Sequence, residues 1–303
     1  LIVILRKQWI VRERLAFPLV QVPLAMVEDD DSGRALKPFF RSWLMWCGFA
    51  LPLFVGSMKA LHNYFNFIPT VITETAIPLF RNTTSLQIAL SFPMLGFSYL
   101  VNTEIAFSIW FFSLLMRVQE GVFGMVGLSS PEKLWYAPPE PIIAHQGMGA
   151  FIIMVLFGLW TARDHLRDVA RKAFRGDDTI DDSDELLSYR VAVFGFLGCN
   201  MLMSVWLWMA GLVFWAVPVY LGAMYLMFLG VTRIVAEGGI AAARAPLIPS
   251  DFLHSAFGNT ALGPSSLTAL GFTFVWAADV RTFVMASVAS GLKPAEDQLA
   301  RRK

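Results

Sequence analysis

Two carboxylates, Glu104 and Glu237, stand in stretches that are otherwise apolar. A charge at membrane depth costs about 2.5 kcal/mol or more on insertion scales, so each is a candidate for function. Glu104 follows Asn102 and Thr103, with Ser108 one turn on. A carboxyl at such a break suits the binding and release of a proton, or the completion of a cation site. A helix cap built from Asn102 or Thr103 uses the same geometry, so both readings stand. Glu237 lies in RIVAEGGI, four residues after Arg233 and directly before Gly238 and Gly239. The glycines let the backbone unwind against a ligand, and Arg233 shares a helix face with the carboxylate. An interfacial salt bridge followed by a glycine C-cap is the plainer account.

His145 and Gln146 open an apolar stretch beside Gly147 and Gly149, where they could line a pore. Asp251 and His254 are three residues apart but lack a third ligand at fitting spacing, so no metal site is expected. His62 reads as an interface histidine, and Asn200 as an interhelical hydrogen-bond partner. No phosphate loop, G-x-S-x-G, H-E-x-x-H or C-x-x-C occurs, and no Ser or Asp pairs with a His inside a clean apolar stretch. Neither catalysis nor a cofactor is expected. Cys47 and Cys199 lie in separate apolar stretches, which argues against a disulfide framework.

These residues are carried by 303 residues that are 56% hydrophobic and 16% charged. A water-soluble chain carries about 25% charged residues. With a mean hydropathy of +0.57, the deficit excludes an ordinary cytosolic enzyme or a disordered linker. The net charge of +1 excludes a nucleic-acid binder built on bulk positive charge. The expected fold is an all-α polytopic transmembrane helix bundle with interrupted or re-entrant helices, in one domain. The first residue is Leu1, and LIVIL runs straight into Arg6 and Lys7, which reads as the end of a span in an interior piece of a longer chain.

A spanning helix needs about 20 apolar residues. All 42 residues from Val191 to Thr232 are uncharged, enough for a helical hairpin of two spans over 191–232 that turns near Ala210 and Gly211. Spans are also expected over 42–61, past Pro52, and over 141–162. Residues 82–116 hold one charge, Glu104, and their halves on either side of it are each too short to cross, so an interrupted helix or re-entrant pair is expected there. Residues 233–292 are fragmented by Gly238, Gly239, Pro246, Pro249, Gly258, Asn259, Gly263 and Pro264. A broken, re-entrant region fits, since irregular backbone at membrane depth must be buried in protein or line a wet cavity.

Lys and Arg number seven over Arg6–Arg41 and six over Arg163–Arg190, whereas His62–Gln87 holds only Arg81. The positive-inside rule places loops 6–41 and 163–190, and the basic tail 293–303, on the cytoplasmic side. Arg163, Arg167, Arg171 and Arg175 recur every four residues, as on a helix at the inner surface. The acidic runs Asp177–Glu185 and Glu28–Asp31 lack the alternating ligands and central glycine of a calcium loop and read as solvated loops.

RKQWIVRERLAFPLVQVPLAM (Arg6–Met26), IWFFSLL (Ile109–Leu115), ARDHLRDVARKAF (Ala162–Phe174), DDSDELLSYR (Asp181–Arg190), RIVAEGGI (Arg233–Ile240) and LGPSSLTAL (Leu262–Leu270) resemble a family of bacterial polytopic membrane proteins catalogued as a domain of unknown function. That family is distantly similar to the oligopeptide transporter superfamily. The resemblance implies further helices before Leu1 and more chain after Lys303. Asn102 stands where the family more often has proline, and AEGGI departs from the family's AEAGLP-like form. The expectation is a secondary transporter of the cytoplasmic membrane for peptides or similar small organic solutes, with a proton or cation as coupling ion. Its partners would be the bilayer, the solute and the ion, with protein partners or a second copy of the chain beside them. A non-transporting scaffold or accessory subunit of a larger membrane complex is the alternative.

Overall fold

The computed structural model describes residues 1–27, 37–135, 140–177, 179–182, 185–240, 243–277 and 284–301, with side chains up to residue 293. The acidic stretch Glu28–Asp31 lies outside the described residues, as do Asp178, Ser183 and Asp184 of the second acidic run. Twelve α-helices and one β-hairpin are described: α1 Ile2–Lys7, α2 Gln21–Val27, α3 Pro38–Arg41, α4 Trp43–Tyr64, β1 Glu74–Leu79, β2 Thr84–Ala89, α5 Phe92–Ser98, α6 Thr103–Val126, α7 Pro141–Thr161, α8 Arg163–Arg175, α9 Tyr189–Met209, α10 Ala216–Gly238, α11 Pro249–Ala277 and α12 Val284–Arg301. Five of these, α4, α6, α7, α9 and α10, are long and apolar enough to cross a membrane. At about 1.5 Å per residue, 21 to 24 residues make about 32 to 36 Å of helix, matched to about 30 Å of hydrocarbon. The chain is a helical multi-pass membrane protein.

The chain divides into two units, the first formed by 1–17, 129–238 and 242–303. Its axis is α10, which packs against α7, α9, α11 and α12. Tyr220, Met224 and Leu221 of α10 join Leu207, Leu212, Leu253, Leu262 and Leu270 in one apolar cluster. Trp276 of α11 meets Tyr220 edge-on at 5.9 Å and lies 6.4 Å from Trp206 of α9. On the other side of α10, Gly230 seats Phe151 and Val155 of α7. The α9–α10 turn uses Gly211 at φ +106°, and its carbonyl accepts the Ser265 and Ser266 hydroxyls at 3.2 and 3.4 Å. Cys47 and Cys199 are both free and exposed.

At the opposite end of this unit, α8 buries His165, Val169 and Ala173. The His165 ring bonds the Ile4 carbonyl at 2.7 Å, and the Arg190 Nε donates to the Ala173 carbonyl at 3.2 Å. These bonds gather α1, α8 and the start of α9 at one end, here termed the α8 end; the α9–α10 turn marks the other, the turn end. Loop 163–190 and residues 1–17 thus lie at the same end of the unit.

Among the described residues of the acidic run, it is its end that departs from the expected solvated loop. The Glu185 side chain is buried against Arg6 at 2.8 Å, whereas Thr179 and Asp181 stay exposed; the Asp182 carboxylate accepts the Tyr189 amide at 3.0 Å, and the Asp181 carbonyl accepts Lys7 at 3.0 Å. Arg6 and Lys7, which close α1, supply the cations.

The second unit comprises 18–128 with 239–241. Residues 82–116 are not one helix broken at Asn102. Thr84–Ala89 pairs antiparallel with Glu74–Leu79, from Glu74 opposite Ala89 to Leu79 opposite Thr84. The short α5 follows, and the break at Asn102 opens a complete 24-residue helix, α6, instead of a half-helix. The hairpin tip lies on α6, with the Phe80 ring over Gly121 and Thr83 beside Gly124. Arg117, which closes the uncharged stretch, is paired with Glu120 at 2.7 Å, so it does not end the helix. The helix α4 contains Pro52 and buries none of its side chains within the chain.

Gly230→Ala puts a methyl group within 2.4 Å of the Phe151 ring and 2.8 Å of Val155. Overpacking of this kind costs about 1 to 3 kcal/mol, so the purified variant is expected to unfold at lower temperature than the parent in the same detergent. An unchanged midpoint would show that α7 and α10 do not pack at this glycine.

Candidate functional site

The non-helical stretch 243–248 before α11 sets the site in the first unit. Helix α7 serves as a ruler, because Arg233 of α10 lies against Gly158 and Pro246 lies against Gly147. Those glycines are 11 residues apart, or about 17 Å along the helix, and Gly238 is about 8 Å beyond Arg233. Residues 243–248, which adjoin Gly147 through Pro246, form neither helix nor strand and end in buried Leu247 and Ile248. Then α11 starts at Pro249 and is broken twice, at Gly258 (φ +74°, ψ 167°) and Gly263 (φ +73°, ψ 165°). The expected fragmentation of 233–292 takes this form, except that α12 runs as a helix from Val284 to Arg301 and so occupies much of the expected tail.

At the α8 end, the Arg233 guanidinium bridges Glu13 at 2.9 Å and Glu237 at 3.6 Å. Glu13 also accepts the Gln8 side-chain amide at 2.8 Å, and the Phe17 amide donates to the Ala236 carbonyl at 2.8 Å. The expected Arg233–Glu237 pair is present, but the nearer partner is Glu13. Sequence reasoning missed it because Glu13 is remote along the chain; its only signal was an acid set among the cations of the first basic loop. Gly238 is the last residue of α10, and Gly239 follows at φ +65°, where a side chain would also strike Pro18.

At the turn end, the loop before α7 is tied down by Glu132. Glu132 bonds the His145 ring at 2.8 Å and accepts the Ser255 hydroxyl. These bonds hold its carboxyl below the usual carboxylate range, Ser255 being the larger cause and His145 adding to it. The Trp135 amide donates to Asp251 at 2.8 Å, while burial pushes the Asp251 carboxyl up. His254 meets Asn259 at 2.5 Å. A cleft of about 300 Å³ opens here between Trp135, Asp251, His254 and Phe274. His145, Asp251 and His254 thus fall in one neighbourhood, joined by Glu132 and Ser255, which the sequence did not single out. Gln146 is exposed beside His145. Among the described residues no three His, Cys, Asp or Glu are placed to hold a metal ion.

In the second unit, Asn102 is the N-cap of α6, its side chain accepting the Glu104 amide at 3.0 Å. Thr103 and Glu104 are exposed in the first turn, where the helix dipole favours an acid. The expected buried carboxylate in this segment is instead Glu120, bonded to Arg117 at 2.7 Å and to the Thr84 hydroxyl at 3.1 Å. Its signal was the Arg117/Glu120 spacing on a helix that does not stop at Met116. Within the first unit the structure brings Arg233 with Glu237, and His145 with Asp251, while Glu104 belongs to the second unit.

Because the Glu132 carboxyl is held low, the tie it makes is present above the ordinary carboxylate range and lost as pH falls through its lowered value. Ser255→Ala removes the main cause. Hydrogen exchange over residues 129–135, corrected for intrinsic rate and followed from about pH 6 to about pH 3, is expected to show release at higher pH in the variant. Coincident curves would contradict the tie.

No curated protein and no solved structure matches the chain. A family model does match, over residues 1–303, and it is described as a family of unknown function. By that full-length match, the chain belongs to the family of unknown function DUF6785.

Proposed function

We propose that the chain is the solute-translocating part of a secondary transporter of the cytoplasmic membrane, carrying peptides or similar small organic solutes on a proton or cation gradient. The observation that carries this reading is the twice-broken α11 and the non-helical stretch 243–248 that leads into it. Irregular backbone at membrane depth is stable only where it is buried in protein or lines a water-filled cavity, and discontinuous helices commonly build midplane transport sites. Ionic groups stand at both ends of this unit. Glu13, Arg233 and Glu237 close the α8 end, and the Asp251–His254 cleft opens at the turn end. The excess of Lys and Arg in the basic loops supports a cytoplasmic α8 end.

Asp251 takes the proton-handling role in this reading, since it is buried, faces the cleft and is held by one backbone amide. Glu104 is a helix-opening acid outside it. The full-length protein in proteoliposomes is expected to accumulate labelled tripeptides on an imposed proton gradient and to lose them on adding a protonophore. Asp251→Asn is expected to lower that uptake about tenfold or more, the scale of losing one charge-assisted hydrogen bond, while Glu104→Gln transports like the parent. Gradient-independent uptake, or loss with Glu104→Gln and not Asp251→Asn, would overturn the assignment.

Sidedness has its own check. A cysteine placed at Thr179, in a chain whose Cys47 and Cys199 are replaced by serine, is expected to react with an impermeant maleimide only after cells are opened. Labelling of intact cells reverses the orientation.

A second reading, a scaffold subunit, is favoured by α4, which buries none of its residues within the chain. It expects a fixed protein partner on α4 that co-purifies in stoichiometric amount and no gradient-driven uptake.

A further inference from the structure

The exposed face of α8 and the spans on either side of it form one surface of mixed charge and aromatic character. Helix α7 ends at Thr161 and α8 begins at Arg163, so α8 leaves the bundle where a span reaches the headgroups. Its inner face packs His165, Val169 and Ala173 on the unit. The outer face presents Arg163, Arg167, Arg171 and Arg175, all exposed. Of the two acids on this helix, Asp164 is shared between Arg163 at 3.9 Å and Arg167 at 3.3 Å and Asp168 lies 3.5 Å from Arg12, which leaves the row of four arginines net positive.

Two aromatic contacts fix the depth of this row. The Arg163 guanidinium lies 5.0 Å over the ring of Trp160, which is 61% exposed on α7. Phe174 of α8 meets Phe194 of α9 at 5.5 Å, and both rings are at least half exposed. Exposed Trp and Phe on two apolar spans face acyl chains, and a Trp at a span's end marks the headgroup level. The arginines beside them are therefore held at phosphate height.

We propose that this surface, from Trp160 through Arg163, Arg167 and Arg171 to Phe174 and Phe194, is a docking site for anionic phospholipid. The guanidinium forks take the headgroup phosphates and the rings take the upper acyl chains. The observation is independent of transport and rests only on the membrane character of α7 and α9. By holding α8, bound lipid also steadies the contacts of α8 with α1 that close this end of the unit.

The full-length protein in a neutral detergent, titrated with phosphatidylglycerol or phosphatidylcholine, tests this through retained lipid in native mass spectrometry and through the thermal midpoint. Phosphatidylglycerol is expected to bind more tightly and to raise the midpoint further. Each arginine near an anionic surface contributes roughly a fivefold gain, so R163Q/R167Q/R171Q is expected to lower phosphatidylglycerol affinity on the order of 100-fold, with phosphatidylcholine unaffected. R163K/R167K/R171K keeps the charge and is expected to keep most of the preference. If the glutamine variant does not fold, R171Q alone is expected to lose about fivefold. Equal binding of the two lipids by the parent overturns the proposal. So does an undiminished preference in a folded glutamine variant or in R171Q, or a midpoint rise reproduced by inorganic phosphate alone.

Discussion

The hydrocarbon interior offers no water to an unpaired peptide group, and this constraint governs the whole arrangement of the first unit. Among the described residues of this unit the chain meets it largely with helices and interrupts them at Gly258 and Gly263 of α11 and in the non-helical stretch 243–248. That stretch needs shelter. It has shelter in α7, where Gly147 leaves room for Pro246 and Gly230 lets Phe151 and Val155 draw α10 close. The same requirement explains why α10 is the most buried of the spans while α9 and α4 expose nearly all their faces. A lipid-facing helix is satisfied by its own hydrogen bonds, but a non-helical segment is not.

The charges follow the same division. Most lie at the α8 end, where they pair across large sequence distances: Arg6 with Glu185, Arg12 with Asp168 and Arg233 with Glu13. The Arg6–Glu185 pair is nearly buried, and removing either partner would strand the other's charge. At the turn end Glu132 is bonded to Ser255 and His145, and Asp251 accepts the Trp135 amide. One end is thus clamped by opposed charges, and the other carries the cleft lined by Asp251 and His254.

Much of this was legible in the residues. The uncharged run from Val191 to Thr232 held α9 and α10 because its length counts two crossings and Gly211 supplies the turn. Residues around the hairpin were not legible. Pro78 lies within β1, and the tip takes positive φ at Phe80, Arg81 and Asn82, of which only Asn82 is a residue type that signals it. The length of α6 was hidden because Arg117 looked like a boundary, whereas Glu120 and Thr84 neutralise and bond within the helix and hairpin. Glu104 drew attention as the only charge in its stretch, but its surroundings are those of a helix start. Acids such as Glu13, Glu132 and Glu185 looked like loop charges, since a carboxylate's partner across the fold leaves no mark beside it in sequence.

The central proposal is that the non-helical stretch 243–248 lines a wet path, and thiol accessibility along it is the direct measurement. Cysteines placed singly at Ala243 and Ala245, in a chain with Cys47 and Cys199 replaced, would be reacted with a charged, water-borne thiol reagent in proteoliposomes. The account predicts reaction at Ala243 and Ala245 well above that of a cysteine at the exposed Met201 of α9, with slowing when solute is present. Rates no higher than at Met201 would mean the stretch is sealed in dry protein, contradicting a path along it.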